Sequence, residues 1–405
     1  MTLRSPFLKL AAPLVALSMG VAACANVEDP VDDYIVLGLN EDSTGPGAPY
    51  ATIAGATVRA TVDRINDEGG INGREVRLAV ENDESSPTNT PSIIRKLMDR
   101  GSVAVILSTG SGSALQAKQI SESAEIVTIA PVALTDAIAN PPSNEFAYMV
   151  PNPLAQYAEV YCGAFESTGI ESLAILSEAT PGIAGIFNTL NPLLRECVDI
   201  VATQSVPGDA ADLTAPVTRL MDAQPDAVLV GSVGGHFELL AQNTLYRQQG
   251  DFQRFSLASI GNQPDSWGLA DPGVLDGLIY MGSLDGSNPR TQALEEWLQE
   301  LNGPDYEITA YDAQAYDSVM LLKEAIELAG THTDPIALNE AMQQVSGVPA
   351  TFGREALTLS FTPDKHISPD SVCGLVLVEF GPDNYPAGPW SGYQPECTPV
   401  EGNDG

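Results

Sequence analysis

Val103-Ala-Val-Ile-Leu-Ser-Thr-Gly-Ser-Gly-Ser113 is the stretch on which the fold of this chain turns. Its first five residues are apolar without a break, as expected of a parallel strand covered on both faces. The next six are serine, threonine and glycine, and they run into a helical stretch near Ser113 to Ala124. A strand, a small hydroxyl-rich turn and a helix make one β–α unit, and the sequence on either side repeats it.

Upstream, Tyr34 to Leu39 reads as a strand, and Ala51 to Glu68 carries apolar groups at helical spacing until Gly69-Gly70 stops it. Val76, Leu78 and Val80 alternate as a strand, Ser92 to Arg100 reads as a helix, and Ile126 to Ala130 as a strand. After Pro151 the alternation restarts, with helices near 153–167, 183–196, 213–223 and 236–249 and strands at 173–176, 198–205 and 227–230. Repeated βα units imply parallel sheets with right-handed crossovers. Two series predict an α/β protein of two doubly wound parallel-sheet lobes. The helical stretch Ala310 to Ala329 and late strands at 356–360 and 372–380 belong to neither series alone, so the chain crosses between lobes more than once. We expect lobe 1 at 34–150 plus about 284–350, lobe 2 at 151–283 plus about 351–397, and a tail at 398–405.

At the N-terminus, Arg4 and Lys9 precede the apolar run Leu10 to Val21, which has the length of a signal-peptide core and is too short to span a bilayer comfortably. Val21-Ala-Ala-Cys24 resembles the lipobox of bacterial lipoproteins, which implies cleavage after residue 23 and a lipid on Cys24; an ordinary secretory signal is the alternative. Residues 24–33 then form a polar, acidic tether, and the protein is extracytoplasmic, touching the membrane only through its anchor. Two of the 18 basic residues and none of the 53 acidic ones lie in residues 1–23, so the remainder carries 16 basic against 53 acidic side chains, a net charge of −37. Such a body is a poor partner for nucleic acid or anionic membrane surfaces. The excess reads either as adaptation to a saline habitat or as lineage bias in composition. Melting temperature against salt separates the two, because salt screens self-repulsion.

Besides Cys24 the chain has Cys162, Cys197, Cys373 and Cys397, an even number that points to two disulfides in an exported protein. Three connectivities are possible, and the sequence-local one, Cys162–Cys197 with Cys373–Cys397, is preferred. None of these cysteines has CxxC spacing and only three histidines occur (His236, His332, His366), which argues against a zinc site or any other metal.

Ligands of open parallel sheets sit beyond the carboxyl ends of the strands. In the loop Ser108 to Ser113, glycines admit a ligand to the backbone, hydroxyls donate hydrogen bonds, and the following helix presents free N–H groups with partial positive charge. Together they suit an anion, most simply a carboxylate; the plainer reading is a helix cap with flexible glycines. Gly110-Ser-Gly112 begins a GxGxxG, but Leu115 stands at the third glycine and no GxxxxGK[ST] occurs, so a nucleotide cofactor is not expected. GxSxG and HExxH are also missing, and the abundant acids single out no catalytic pair, so no enzyme is expected. His236 follows Gly234-Gly235 at a strand-to-helix turn, where it either touches a ligand or serves as a cap or packing residue.

In this order the features resemble the type I periplasmic binding proteins, specifically the leucine/isoleucine/valine-binding group of amino-acid importers. The matching residues are Gly45, Ala60-Thr-Val-Asp-Arg-Ile-Asn-Asp-Glu-Gly-Gly-Ile-Asn-Gly73 with Glu75 to Val80 and Asp83 after it, the loop 108–113, Ile126 to Pro131, and Ala310-Tyr-Asp-Ala-Gln-Ala-Tyr-Asp-Ser318. The resemblance implies two lobes joined by three hinge strands that close on a small-molecule ligand, and a monomer that docks on a membrane permease of an ABC importer. It places the ligand's carboxylate at Ser111, with Thr109 and Gly110 beside it, and the next loop's contacts at Val132 to Thr135, where Leu134 stands at the expected threonine. In the second lobe, Pro181-Gly182 replaces an aromatic-glycine pair, so Gly182 remains but the aromatic wall is missing. The acid that would pair with a ligand ammonium falls near Ala258 or Ser259, and neither is acidic. A buried ammonium without a partner is strongly unfavourable. Either another acid such as Asp265 serves, or the ligand is an amide, a urea-like molecule or an organic acid; Glu178 is a further candidate contact. An amino acid is the first expectation. Because fold does not fix function, a ligand-sensing or envelope-partner lipoprotein is the second.

Overall fold

The structure is a computed structural model that describes residues 34–248 and 250–397. The expected signal segment 1–23, the lipidation site Cys24 with its tether, and the tail 398–405 lie outside the described residues.

The first sheet contains β1 (Tyr34–Glu41), β2 (Glu75–Glu81), β3 (Ala104–Ser108), β4 (Val127–Ala130) and β5 (Ala147–Met149), in the order β2-β1-β3-β4-β5, all parallel. Alternate residues of β3 serve two cores. Ala104 and Ile106 face α1 (Ala48–Asp67), while Val105 and Leu107 face α2 (Thr90–Asp99) and α3 (Ser111–Ala124). Burial on both faces is why the strand reads as apolar at every position.

The chain then builds α4 (Leu154–Thr168) and a second parallel series: β6 (Ser172–Glu178), α5 (Pro181–Leu194), β7 (Asp199–Val206), α6 (Thr214–Met221), β8 (Ala227–Gly231), α7 (Gly235–Tyr246), β9 (Gln253–Ser256), α8 (Pro264–Trp267) and β10 (Ile279–Gly282). The expected α/β architecture of two doubly wound lobes is therefore present. The chain returns to the first core with α9 (Pro289–Asn302), α10 (Ala310–Ala329), α11 (Pro335–Met342) and the small hairpin β11 (Val348–Pro349) and β12 (Thr358–Leu359). It ends on the second sheet with β13 (Val376–Phe380), antiparallel to β10, and β14 (Pro386–Pro389), giving the order β14-β13-β10-β9-β8-β6-β7.

One expected boundary moves. The stretch from 351, assigned to lobe 2 on sequence, places Phe352, Leu357, Leu359 and Phe361 in the first lobe's core. Its strands are only two residues long and carry no periodicity by which a sheet could be chosen. The chain thus passes between lobes after β5, after β10 and before β13. These crossings hold one another: Met149 donates its N–H to His366 and accepts from Ser368 (both 2.9 Å), and Gly353 donates to Ser283 (2.8 Å). Both sequence-local disulfides are formed, Cys162–Cys197 and Cys373–Cys397, with Cα separations of 5.6 and 5.1 Å.

The motif 310–318 has a structural reason. Thr309 and Asp312 form a capping box at the start of α10. The Asp312 carboxylate also accepts from Thr57 of α1 (2.6 Å) and Tyr306 (2.8 Å), which joins three segments at one buried group.

Several buried acids hold their protons unusually tightly. Burial pushes Glu238 and Asp317 up to about 7 and Asp136 to about 6, against the partial relief of the hydrogen bonds each accepts. Each therefore binds its proton more strongly folded than unfolded, so its contribution is full below about pH 4 and is lost as pH rises through 6 to 7. We expect the melting temperature to be higher at about pH 5 than at about pH 8, by roughly 5 °C or more. Calorimetric scans across that range check it, and a flat profile would contradict it.

Candidate functional site

The loops at the carboxyl ends of both sheets converge on one cleft of about 280 Å³. That lies near the lower end of small-molecule sites, ~300–1,000 Å³, so the occupant is small. Lobe 1 contributes Asp42, Gly47, the α3 start from Gly110 to Ser113, and Val132 and Leu134. Lobe 2 contributes Thr180 to Ile183 at the start of α5, Ser232 and Val233 after β8, and Leu257 to Ser259 after β9. Tyr50 from α1 and Tyr311 from α10, with ring centroids 5.7 Å apart, complete a largely apolar wall.

The two lobes meet across this cleft. A Cβ placed on Gly182 would stand 3.5 Å from Ser111 Cβ and 3.7 Å from the Gly112 nitrogen, so α3 and α5 approach N-terminus to N-terminus. Gly185 behaves similarly, with Thr135 Oγ1 at 3.1 Å from its would-be Cβ. At 185 the missing side chain leaves room for Thr135, whereas at 182 the gap to α3 admits a Cβ and little more.

Within lobe 1 the serine-glycine loop is already engaged by a carboxylate of the protein itself. Asp42 Oδ1 accepts from Thr109 Oγ1 (2.7 Å), and Asp42 Oδ2 accepts from the Gly110 N–H (3.1 Å). Side chains at 47 or 110 would strike this arrangement, since a Cβ on Gly47 would lie 2.5 Å from Asp42 Oδ2 and one on Gly110 2.6 Å from the Tyr50 hydroxyl. Burial and the adjacent Asp83 push the Asp42 carboxyl up to about 8. Ser111 faces the cleft, and its hydroxyl accepts from the Leu134 N–H (3.1 Å), which leaves its own proton to donate.

On the lobe 2 side, Ser259 donates to the Ser232 carbonyl (2.7 Å), and Ser232 donates to Glu238 Oε2 (2.6 Å). Glu238 is fully buried behind these two hydroxyls.

Of the residues expected at the site, Gly110, Ser111, Val132, Gly182 and Ser259 line the cleft. Thr109 does not, because its hydroxyl turns to Asp42. Thr135 is buried beside Gly185, and Leu134 takes the place in the wall. Glu178 sits behind the wall, where its Oε2 accepts from the Val233 N–H (2.9 Å) and orients that loop. His236 is exposed on the first turn of α7, outside the lining, and Asp265 is likewise exposed. The sequence reading missed Asp42, Tyr50, Ser232 and Tyr311. A signal existed for two of them, since Asp42 directly follows the first strand and Tyr311 lies in the motif 310–318.

A family model described as periplasmic binding protein matches residues 35–371, most of the chain. The chain belongs to the periplasmic binding protein family. Members of this family bind substrates and are not enzymes. A Leu/Ile/Val-binding protein of Rhizobium johnstonii is 25% identical over 353 residues, covering 85% of this chain and 91% of that one. A Leu/Ile/Val-binding protein homolog of Brucella melitensis is 22% identical over 354 residues, covering 86% and 92%. Among solved structures, a type 1 periplasmic binding protein of Bordetella pertussis superposes with a TM-score of 0.75 at 20% identity, covering 86% and 97%. A branched-chain amino acid transporter substrate binding protein of Streptococcus pneumoniae, in complex with isoleucine, gives 0.75 at 17% identity, covering 87% and 98%. At these identities the structural likeness establishes the shared fold.

Proposed function

We propose that this protein is an extracytoplasmic, lipid-anchored receptor that captures an amino acid with an apolar side chain and delivers it to the permease of an ABC importer. The observation that carries the reading is a cleft built by carboxyl-end loops of both lobes, with hydroxyls at Ser111, Ser232 and Ser259 and walls of tyrosine, valine, leucine and isoleucine. A ligand bridging both lobes favours the closed arrangement over an open one, which gives the permease a loaded shape to recognise. Relatives named for leucine, isoleucine and valine, and a structural neighbour holding isoleucine, support that ligand class. The signal-like segment and Cys24 support the anchor. In this reading the lobes move as two bodies about the three crossings and the receptor acts as a monomer.

Thermal-shift and calorimetric screening of the chain from residue 24 onward tests it against amino acids, amides, urea-like molecules and organic acids. We expect the larger aliphatic amino acids to raise the melting temperature. If no class of small solute does so, the receptor reading fails.

A further inference from the structure

Of the described residues that line the cleft, Asp42 is the one carboxyl, and neither lysine nor arginine is among them. The positions at which the family resemblance expects the ammonium partner, Ala258 and Ser259, are uncharged, and Glu178, Glu238 and Asp265 stand outside the lining. We propose that Asp42 is the ligand's cation partner: it takes the ammonium of the bound solute, and that ammonium displaces a proton which Asp42 shares with Asp83. The inference rests on the cleft being a solute site and specifies which end of the solute faces lobe 1.

The geometry supports it in three ways. First, the loop that sequence alone assigns to a ligand carboxylate is satisfied internally, because Thr109 Oγ1 and the Gly110 N–H both donate to Asp42. These two donors orient Asp42 and leave its remaining lone pairs as acceptors. A second carboxylate at the same donors would face Asp42 directly.

Second, Asp83 is built as the other half of a proton-sharing pair. Its Oδ2 accepts from Asn40 Nδ2 (2.9 Å) and Thr90 Oγ1 (2.6 Å), while its Oδ1 is buried without a hydrogen-bond partner. Two adjacent buried carboxyls cannot both ionise cheaply, so one proton stays between them. Asp42 is the member that keeps it, held up by burial and by Asp83.

Third, no lysine or arginine among the described residues lines the cleft beside the pair. The titratable groups facing Asp42 are Asp83, from the loop after β2, and the Tyr50 phenol of α1, which is itself held in its neutral form. Arg59 of α1 pairs with Glu41 at the end of β1. The exchange conserves local charge. Before binding, Asp42-COOH and Asp83-COO⁻ carry one negative charge; afterwards two carboxylates and one ammonium carry the same, and the proton leaves to the buffer.

Calorimetry of the chain from residue 24 onward tests this with three probes: L-leucine, 3-methylbutan-1-amine, which lacks the carboxylate, and 4-methylpentanoate, which lacks the ammonium. At about pH 7, leucine binding should release close to one proton, read as a difference in enthalpy between phosphate and Tris buffers. Release should shrink as pH passes the Asp42 value of about 8. Asp42→Asn should bind leucine at least about thirtyfold more weakly, with no release. The amine should release a proton as leucine does, and 4-methylpentanoate should not bind. Leucine binding with equal enthalpy in both buffers, or 4-methylpentanoate binding as well as leucine, would overturn the assignment of Asp42 while leaving the receptor reading intact. The wild-type proton count keeps this decisive even if the variant folds poorly. Failure of every probe, together with a silent solute panel, would overturn both.

Discussion

Gly182→Phe abolishes ligand binding while both lobes stay folded. The would-be Cβ at 182 already stands 3.5 Å from Ser111 Cβ, in ordinary van der Waals contact, so Gly182→Ala is tolerated. A phenyl ring reaches several ångströms further and meets the first turn of α3. The lobes are therefore propped apart and a ligand can use only half of its contacts. Since closure is driven by contacts on both sides, we expect at least about a hundredfold loss of affinity. Titration calorimetry reads the affinity, and circular dichroism melting confirms the fold. An unchanged affinity in Gly182→Phe would show that binding does not require the approach of α3 and α5.

The second large effect is on stability. Cys162–Cys197 closes a loop of 35 residues from α4 to the turn after α5, and Cys373–Cys397 closes one of 24 between the last crossing and the end of the described chain. By loop entropy, removing either costs about 3–4 kcal/mol. Cys162→Ser with Cys197→Ser, and Cys373→Ala with Cys397→Ala, should each lower the denaturation midpoint by that amount. Alanine is chosen for the second pair because Cys373 is fully buried, where an unpaired hydroxyl would add its own penalty. The two losses should add, since the bonds lie in different cores. A change below about 0.5 kcal/mol for either pair would contradict the account.

Much of the architecture was legible in the chain because its cues are local. The unbroken apolar run Val103 to Leu107, the helical spacing from Ala51 and the stop at Gly69-Gly70 each depend on neighbours within one or two turns. The same holds for the disulfides, whose partners are close in sequence. The cleft was legible in outline, because in a doubly wound sheet the carboxyl ends of strands near the switch point face the ligand. Gly110 and Ser111 follow from that rule, whereas Gly182 and Ser259 follow from the family resemblance.

Amino-acid order alone determined most strands and helices of the two βα series, that they form two lobes, and which loops stand at the mouth between them. Tertiary structure decided the lobe that receives Phe352 to Phe361, the withdrawal of Glu178 and His236 from the cleft, and the occupation of the Gly110 loop by Asp42. The physical reason is range. Periodicity and turn chemistry act over a few residues, whereas Asp42 meets its donor Gly110 across 68 positions, and only the packing of β1 beside β3 brings them within hydrogen-bond distance.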